Sequence, residues 1–164
     1  MDLFLPVFSA LNAAKTRYMV VGGVACVLHG HMRLTADLDL MVDLEADAAR
    51  RAVSALTDFG YRPVVPVDPF DLCDPDIRKI WIEEKNMVVM GMHDPENPLR
   101  SLDLFIAHPM SFEDLFARSV LMHVGSTAVR TVSLPDLIAL KRLSGRPRDL
   151  EDIAELERLA GGSG

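Results

Sequence analysis

The stretch YMVVGGVACVLHGHMRLTADLDLMVD, residues 18–43, decides the fold. It begins with a short apolar run over 18–21, and a run of this length that ends at a glycine is typical of a buried strand. Two adjacent glycines, Gly22 and Gly23, let the backbone turn sharply and approach a ligand closely, because no Cβ intervenes. The pattern then predicts a short apolar helix over 24–28 and a second strand over 37–42.

The second strand carries two acids at alternate positions, which is the period of a half-buried strand. Asp37 and Asp39 therefore share one face, while Leu38 and Leu40 point into a core. Two carboxylates on one face repel each other unless a cation lies between them, and hard cations such as Mg²⁺ prefer carboxylate ligands. The alternative is an ordinary edge strand with solvated aspartates, because this spacing of acids is common.

The rest of the chain alternates helical and strand patterns, which predicts an α/β fold with helices on a sheet. We expect helices over 2–14, over 44–59 with Asp43 as N-cap, over 110–116, over 133–144 and over 147–160. We expect strands over 61–67 at a sheet edge, over 101–107, and in a hairpin over 120–132. Residues 81–92 predict a hairpin around Asn86 or a continuing helix, and residues 93–98 a loop.

Asp103 lies within the apolar strand pattern over 101–107, on the face that also carries Phe105. An unpaired carboxylate is costly to bury, so this acid needs either a partner or solvent. An outward-facing surface aspartate is the alternative to a functional one.

The glycine pair followed by Asp37-x-Asp39 resembles the signature of the polymerase-beta-like nucleotidyltransferase superfamily. The fuller stretch is similar to minimal bacterial members grouped with the abortive-infection (AbiEii-type) nucleotidyltransferase toxins, and the similarity returns at residues 137–153. The resemblance implies a mixed β-sheet flanked by helices, with a catalytic core over 1–132 and a C-terminal helical hairpin over 133–160 that packs on it. We predict a disordered tail over 161–164.

The resemblance also implies the chemistry: transfer of an NMP from an NTP, ATP among the donors, to a hydroxyl, with release of pyrophosphate. It makes Asp103 the third ligand beside Asp37 and Asp39 for two Mg²⁺ ions, with Mn²⁺ as the alternative metal. It assigns nucleotide binding to these residues: Gly22, Gly23, Arg33, Thr35, Lys141, Arg146, Arg148 and Asp149. The family pattern commonly has lysine where this chain has Arg148, which keeps the charge but changes its geometry.

The stretch KRLSGRPRD, residues 141–149, is the most basic part of an acidic chain. Several cations at the end of a helix are favourable to its dipole, which accounts for them without any ligand. The functional account is that Lys and Arg neutralise a triphosphate. Asp149 and Asp152 are candidates to pair with these cations and orient them.

Composition bears on nucleic-acid binding and on the cellular compartment. The formal charge of −7 argues against a broad nucleic-acid-binding surface, which needs basic residues. Two cysteines without a framework of pairs fit a reducing, cytoplasmic compartment, and no apolar run is long enough to cross a membrane.

Three acceptors stay open at this point: the 3′ end of a tRNA, a hydroxyl on a partner protein, and a small molecule such as an aminoglycoside. The resemblance to the toxins favours tRNA or protein, and implies a cognate antitoxin as a further partner. The acidic charge fits a small or protein acceptor slightly better. A non-catalytic nucleotide-binding regulator, or a toxin–antitoxin component that acts by binding, is the alternative to an enzyme.

Overall fold

The computed structural model describes residues 2–161. Seven α-helices follow one another in this range: α1 Leu5–Ala13, α2 Gly22–Leu28, α3 Ala46–Phe59, α4 Pro75–Lys85, α5 Phe112–Arg118, α6 Leu134–Ser144 and α7 Pro147–Gly161. Seven strands alternate with them: β1 Tyr18–Val21, β2 Asp37–Val42, β3 Arg62–Pro63, β4 Val89–Asp94, β5 Asn97–Phe105, β6 Val120–Val124 and β7 Thr127–Thr131. Short 3₁₀ turns precede α1 and α4.

The seven strands form one mixed sheet in the order β3-β4-β5-β2-β1-β7-β6. Neighbouring strands are antiparallel except for two pairs, β2 with β5 and β1 with β7. This architecture confirms the predicted mixed sheet flanked by helices. The parallel pairing of β2 with β5 matters most for the site, because it brings two acidic strands from distant parts of the chain side by side.

The two faces of the central strands differ in chemistry, as the alternation predicts. Leu38 and Leu40 of β2 and Leu102 and Leu104 of β5 are fully buried in the core. The intervening residues Asp37, Asp39 and Asp103 therefore lie on the opposite face.

The C-terminal helices have the ends that their sequence predicts. The side chain of Ser133 accepts a hydrogen bond from the backbone N–H of Asp136, and Gly145 ends α6 in the left-handed conformation. Helix α7 packs against α6. It runs through Gly161, so the predicted tail begins too early, and residues 162–164 lie outside the described range.

The N-cap residue of α3 differs from the predicted one. The N-cap is Glu45, whose side chain accepts hydrogen bonds from the N–H groups of Asp47 and Ala48. Asp43 instead accepts a hydrogen bond from the N–H of Glu45 and pairs with Arg17 at 2.5 Å. The helix therefore begins at Ala46, two residues later than predicted, with Asp43 engaged by Arg17 and by the N–H of Glu45.

Residues 81–98 decide one open alternative and correct one prediction. Of the hairpin around Asn86 and the continuing helix, the structure has the helix: α4 continues through Trp81 to Lys85, and Asn86 ends it in the left-handed conformation. The predicted loop over 93–98 is a tight turn, since β4 reaches Asp94 and β5 already begins at Asn97. The edge strand β3 covers only two residues of the predicted 61–67, a stretch that contains Pro63 and Pro66. Among residues 2–161, none of the helices has the length and apolarity needed to cross a bilayer.

Candidate active site

One cleft of about 630 Å³ gathers every residue that the sequence singled out for binding or catalysis. Such a volume is typical of small-molecule sites. The residues come from four separate parts of the chain and line the cleft together: Gly22, Gly23, Arg33, Thr35, Asp37, Asp39, Asp103, Lys141, Arg146, Arg148 and Asp149.

The acids are brought together by the pairing of β2 with β5. Asp39 lies directly opposite Asp103 in the parallel register, and Asp37 lies opposite Ser101. The Ser101 hydroxyl donates a hydrogen bond to the Asp37 carboxylate. Ser101 was missed by the sequence analysis, although its position two residues before Asp103 places it on the same face.

The acids disturb one another electrostatically. Burial, followed by the charges of Asp103 and Asp37, raises the pKa of Asp39 to about 6. Burial and the charge of Asp37 also raise the pKa of Asp103. These like charges therefore repel one another in a cleft that is partly shielded from water, and a bound cation would reduce the repulsion.

The donor set suits a hard divalent cation, because it consists of carboxylate oxygens on one face of the sheet. In the part of the chain that the structure describes, no group of three or more His, Cys, Asp or Glu side chains is gathered closely enough to hold a metal ion as it stands. The fit to a metal thus rests on the type of the ligands and their shared cleft.

The glycine pair allows the start of α2 to approach the acids. Gly22 has φ +63°, and a Cβ there would lie 1.9 Å from Oδ2 of Asp39. The N–H of Gly23 donates to the same oxygen at 3.4 Å. A Cβ on Gly23 would lie 2.5 Å from the Thr35 hydroxyl. The helix begins at Gly22 rather than at residue 24, so the glycines form its first turn.

Two of the predicted cations are already paired. Lys141 is buried, and its Nζ lies 2.6 Å from Oδ2 of Asp152 and 3.1 Å from Oδ1 of Asp149. Burial acts to lower the pKa of Lys141, but its hydrogen bonds to Asp152 and Asp149 outweigh burial and leave the pKa raised. The Arg33 guanidinium also binds Asp152.

Asp152 therefore joins three segments of the chain. Its buried carboxylate holds Lys141 of α6 and Arg33 of the loop before β2, and its other oxygen lies 3.0 Å from Nε2 of His31. The sequence suggested Asp152 as a partner of basic residues on its own hairpin. It could not reveal the bonds to Arg33 and His31, which depend on how α7 packs beside the loop.

Arg146 is the cation that stays available. Within residues 2–161 its guanidinium makes no hydrogen bond or ion pair, yet its charge acts on both Asp39 and Asp103. Arg148 instead donates to the carbonyl oxygen of Leu34 at 2.8 Å. An exposed, unpaired guanidinium facing carboxylates can attract an anion such as a phosphate into the cleft.

The family to which the sequence matches defines the class of protein as a nucleotidyltransferase. The chain belongs to the family described as "Nucleotidyltransferase of unknown function (DUF6036)", whose model matches residues 7–160. This confirms the predicted minimal nucleotidyltransferase. A search of curated protein sequences gave no match.

Solved structures share this fold. The lincosamide antibiotic adenylyltransferase LnuA, determined with lincomycin bound, is similar with a TM-score of 0.63 and 17% identity over 97% of each chain. An antigenic nucleotidyltransferase-like protein from Paracoccidioides brasiliensis is similar with a TM-score of 0.56 and 16% identity, over 96% of this chain and 75% of that one. Likeness at such low identity concerns the fold.

Proposed function

We propose that the protein is a Mg²⁺-dependent enzyme that transfers an NMP from an NTP to a hydroxyl acceptor and releases pyrophosphate. The observation that carries this proposal is the single cleft that holds three carboxylates on paired strands, the glycine turn of α2 and the unpaired Arg146. Family membership supports nucleotidyl transfer in general. Metal dependence, donor and acceptor are the parts that need testing.

The transfer makes one bond and breaks one. The acceptor oxygen attacks the α-phosphorus, the bond to the bridging oxygen between the α- and β-phosphates breaks, and pyrophosphate leaves with the electron pair. The acceptor proton passes to a carboxylate, for which Asp103 is the candidate. Arg146 attracts the phosphates, and the turn at Gly22 and Gly23 places backbone close to them.

Asp37, Asp39 and Asp103 are the residues that would hold Mg²⁺ or Mn²⁺, as one or two ions. A bound divalent ion would supply Lewis-acid stabilisation of the phosphate charge and a more acidic acceptor hydroxyl. Lys141 and Arg33 border the same cleft, and because Asp152 and Asp149 together offset their charges, we assign them to shaping the phosphate side rather than to providing free charge.

The acceptor has two candidate classes. The resemblance to abortive-infection toxins favours a tRNA end or a protein hydroxyl, together with a toxin role and a cognate antitoxin. A small molecule is supported by a specific observation, because LnuA, which has the same fold over nearly the whole chain, is a lincosamide adenylyltransferase solved with its small-molecule ligand. A nucleotide-binding regulator is the alternative to both.

Transfer of label tests the proposal directly. The purified protein is incubated with Mg²⁺, each α-³²P-labelled NTP in turn, and the RNA, protein and small-molecule fractions of a bacterial extract. We expect label in one fraction, and a loss on the order of 100-fold or more in Asp39→Ala. The matched control is Asp58→Ala, which removes an exposed aspartate of α3.

Two results would contradict enzymatic transfer. Equal labelling by Asp39→Ala and the wild type would show that the acids take no part in the reaction. Tight binding of a non-hydrolysable NTP, with no label in any fraction, would favour a regulator that binds nucleotide without turnover.

A further inference from the structure

The face of the sheet that carries the acids continues as an apolar surface. Phe105 follows Asp103 by two positions on β5, and Val89 of β4 lies directly opposite Phe105 in the register. Alternation places Phe105 and Val89 on the acidic face. With Val88 and Pro109 they form the acceptor wall, and all four line the cleft.

The acceptor wall is accessible to a ligand. Val88 is 63% exposed, Pro109 is exposed, and Val89 and Phe105 are half-buried. Apolar side chains with a few convergent polar groups are typical of small-molecule sites.

Charge divides the cleft into two sides. Its basic side chains all come from the loop before β2 and from the α6–α7 region: Arg33, Lys141, Arg146 and Arg148. The lining residues between positions 88 and 109 include one acid, Asp103, and no lysine or arginine. A polyanion needs cations along its backbone, so the acceptor wall does not suit the end of an RNA chain.

The reaction geometry assigns an occupant to each side, and this step rests on the proposed function. Attacking and leaving oxygens lie roughly in line across the α-phosphorus. The pyrophosphate half of the NTP belongs near Arg146, the cation whose guanidinium is unpaired within residues 2–161. The acceptor oxygen must then approach from the opposite side, across Asp103, where the acceptor wall lies.

Gly91 leaves the Asp103 carboxylate uncrowded on the β4 side. It lies opposite Asp103 in the register of β4 and β5, and a Cβ there would be 3.3 Å from Oδ1 of Asp103. The other neighbour of that Cβ would be Val64, which is 64% exposed. Glycine inside a strand often marks a place where a ligand approaches closely.

We infer that the acceptor wall binds a small alcohol with an apolar body and no negative charge. Its hydroxyl oxygen forms the bond to the α-phosphorus, its proton passes to Asp103, and pyrophosphate leaves with the electron pair of the broken bond. The wall thus selects the acceptor by apolar contact, and the opposite side of the cleft selects the nucleotide by charge.

Binding of two probes tests this inference without requiring turnover. Phenyl β-D-glucoside and methyl β-D-glucoside carry the same sugar hydroxyls and differ in their apolar group. Calorimetry is performed with the full chain, Mg²⁺ and a non-hydrolysable NTP. We expect the phenyl compound to bind about tenfold more tightly than the methyl compound, because only its ring covers the wall.

Three variants locate the effect. Phe105→Ser and Val88→Ser should each lower affinity for the phenyl compound by about three- to tenfold and leave affinity for the NTP analogue within twofold. Val88 is exposed, so its variant is informative even if Phe105→Ser folds poorly. Leu99→Ser is the control, since Leu99 is 72% exposed on the same strand and does not line the cleft.

The outcomes separate the two proposals. Failure of the NTP analogue to bind would overturn the proposed function. Binding of the analogue without a preference for the phenyl compound would overturn the acceptor wall alone, as would an equal loss in Leu99→Ser. Weakened binding of the analogue in the wall variants would show that the wall holds the nucleobase, and labelling of RNA in the transfer assay would replace the small alcohol by a polynucleotide.

Discussion

Asp39 concentrates the electrostatic strain of the cleft. It is close to two other acids, its pKa is raised to about 6, and the N–H of Gly23 is its hydrogen-bond donor within the described chain. Residues with such a raised pKa commonly lie at functional sites, where they lower the stability of the free protein and a bound ligand offsets that cost. Two predictions concern this residue and the glycine that touches it.

Asp39→Asn should stabilise the metal-free protein at pH 7 by about 1–3 kcal/mol, because it removes a half-buried, repelled charge. A raised carboxyl pKa penalises the native state above about pH 6, and the penalty disappears as pH falls through that pKa toward the ordinary value of 3.8. The advantage of the variant should therefore shrink between pH 7 and pH 4. Denaturant unfolding at several pH values measures it.

Added Mg²⁺ provides the internal control for that prediction. It should raise the melting temperature of the wild type more than that of Asp39→Asn, since binding to the native state stabilises it. A variant less stable than the wild type at pH 7 would show that Asp39 is not strained.

Gly22→Ala should cost about 1 kcal/mol of stability, because alanine is strained at φ +63°, and should also displace the Asp39 carboxylate. A displacement on this scale can lower turnover by about 100-fold. Gly125→Ala is the matched control, with φ +61° and nothing within 4 Å of the added Cβ. Gly125→Ala should lose only the stability that the backbone strain costs, whereas Gly22→Ala should lose more because the Asp39 side chain must also move, and only Gly22→Ala should lose turnover. Equal activity in the two variants would refute the contact with Asp39.

At the scale of elements, the ion pairs of Asp152 link the α6–α7 hairpin to the loop before β2. Asp152→Asn leaves Lys141 and Arg33 without their shared buried anion. Removing one partner of a buried ion pair costs about 3–5 kcal/mol, so we expect a loss of that order in denaturant unfolding. Weaker NTP binding should accompany it, because both cations border the cleft.

The control for Asp152 is Glu157→Gln on the same helix. Glu157 pairs with Arg142 at an exposed position, where ion pairs contribute little. Stability changes of equal size in the two variants would mean that the buried network does not fasten the hairpin.

The elements that the sequence predicted well are those with local signals. Helix α6 has its serine cap and its terminal glycine, and the hairpin of β6 and β7 has its turn at Gly125. Alternation placed Asp37, Asp39 and Asp103 on the face that they occupy. These features depend on residues that are neighbours in the chain, so the local sequence pattern is sufficient to predict them.

The wrong predictions depend on distant residues. Asp43 does not cap α3 and instead pairs with Arg17 across the fold. Residues 81–92, by contrast, suited both a hairpin and a continuing helix, and the structure has the helix, which ends at Asn86. The pairing of β2 with β5 and the bonds of Asp152 arise from long-range packing, which no local spacing contains.

At the scale of the whole molecule, a chain with a net charge of −7 places four of its 17 lysines and arginines along one cleft. The sheet supplies the acids and the acceptor wall, while the C-terminal hairpin supplies most of the basic side. The fold therefore holds a phosphate side and an apolar side apart, with the three carboxylates between them. The central claim is that these carboxylates bind a metal together with the nucleotide.

Calorimetric titration of a non-hydrolysable NTP is the most direct measurement of that claim. The wild type is compared with a variant in which Asp37, Asp39 and Asp103 are all asparagine, each with Mg²⁺ and with EDTA. We predict that Mg²⁺ tightens binding to the wild type by at least about tenfold and leaves the triple variant unchanged. An equal effect of Mg²⁺ on both proteins, or none on the wild type, would contradict a carboxylate-held metal in this cleft.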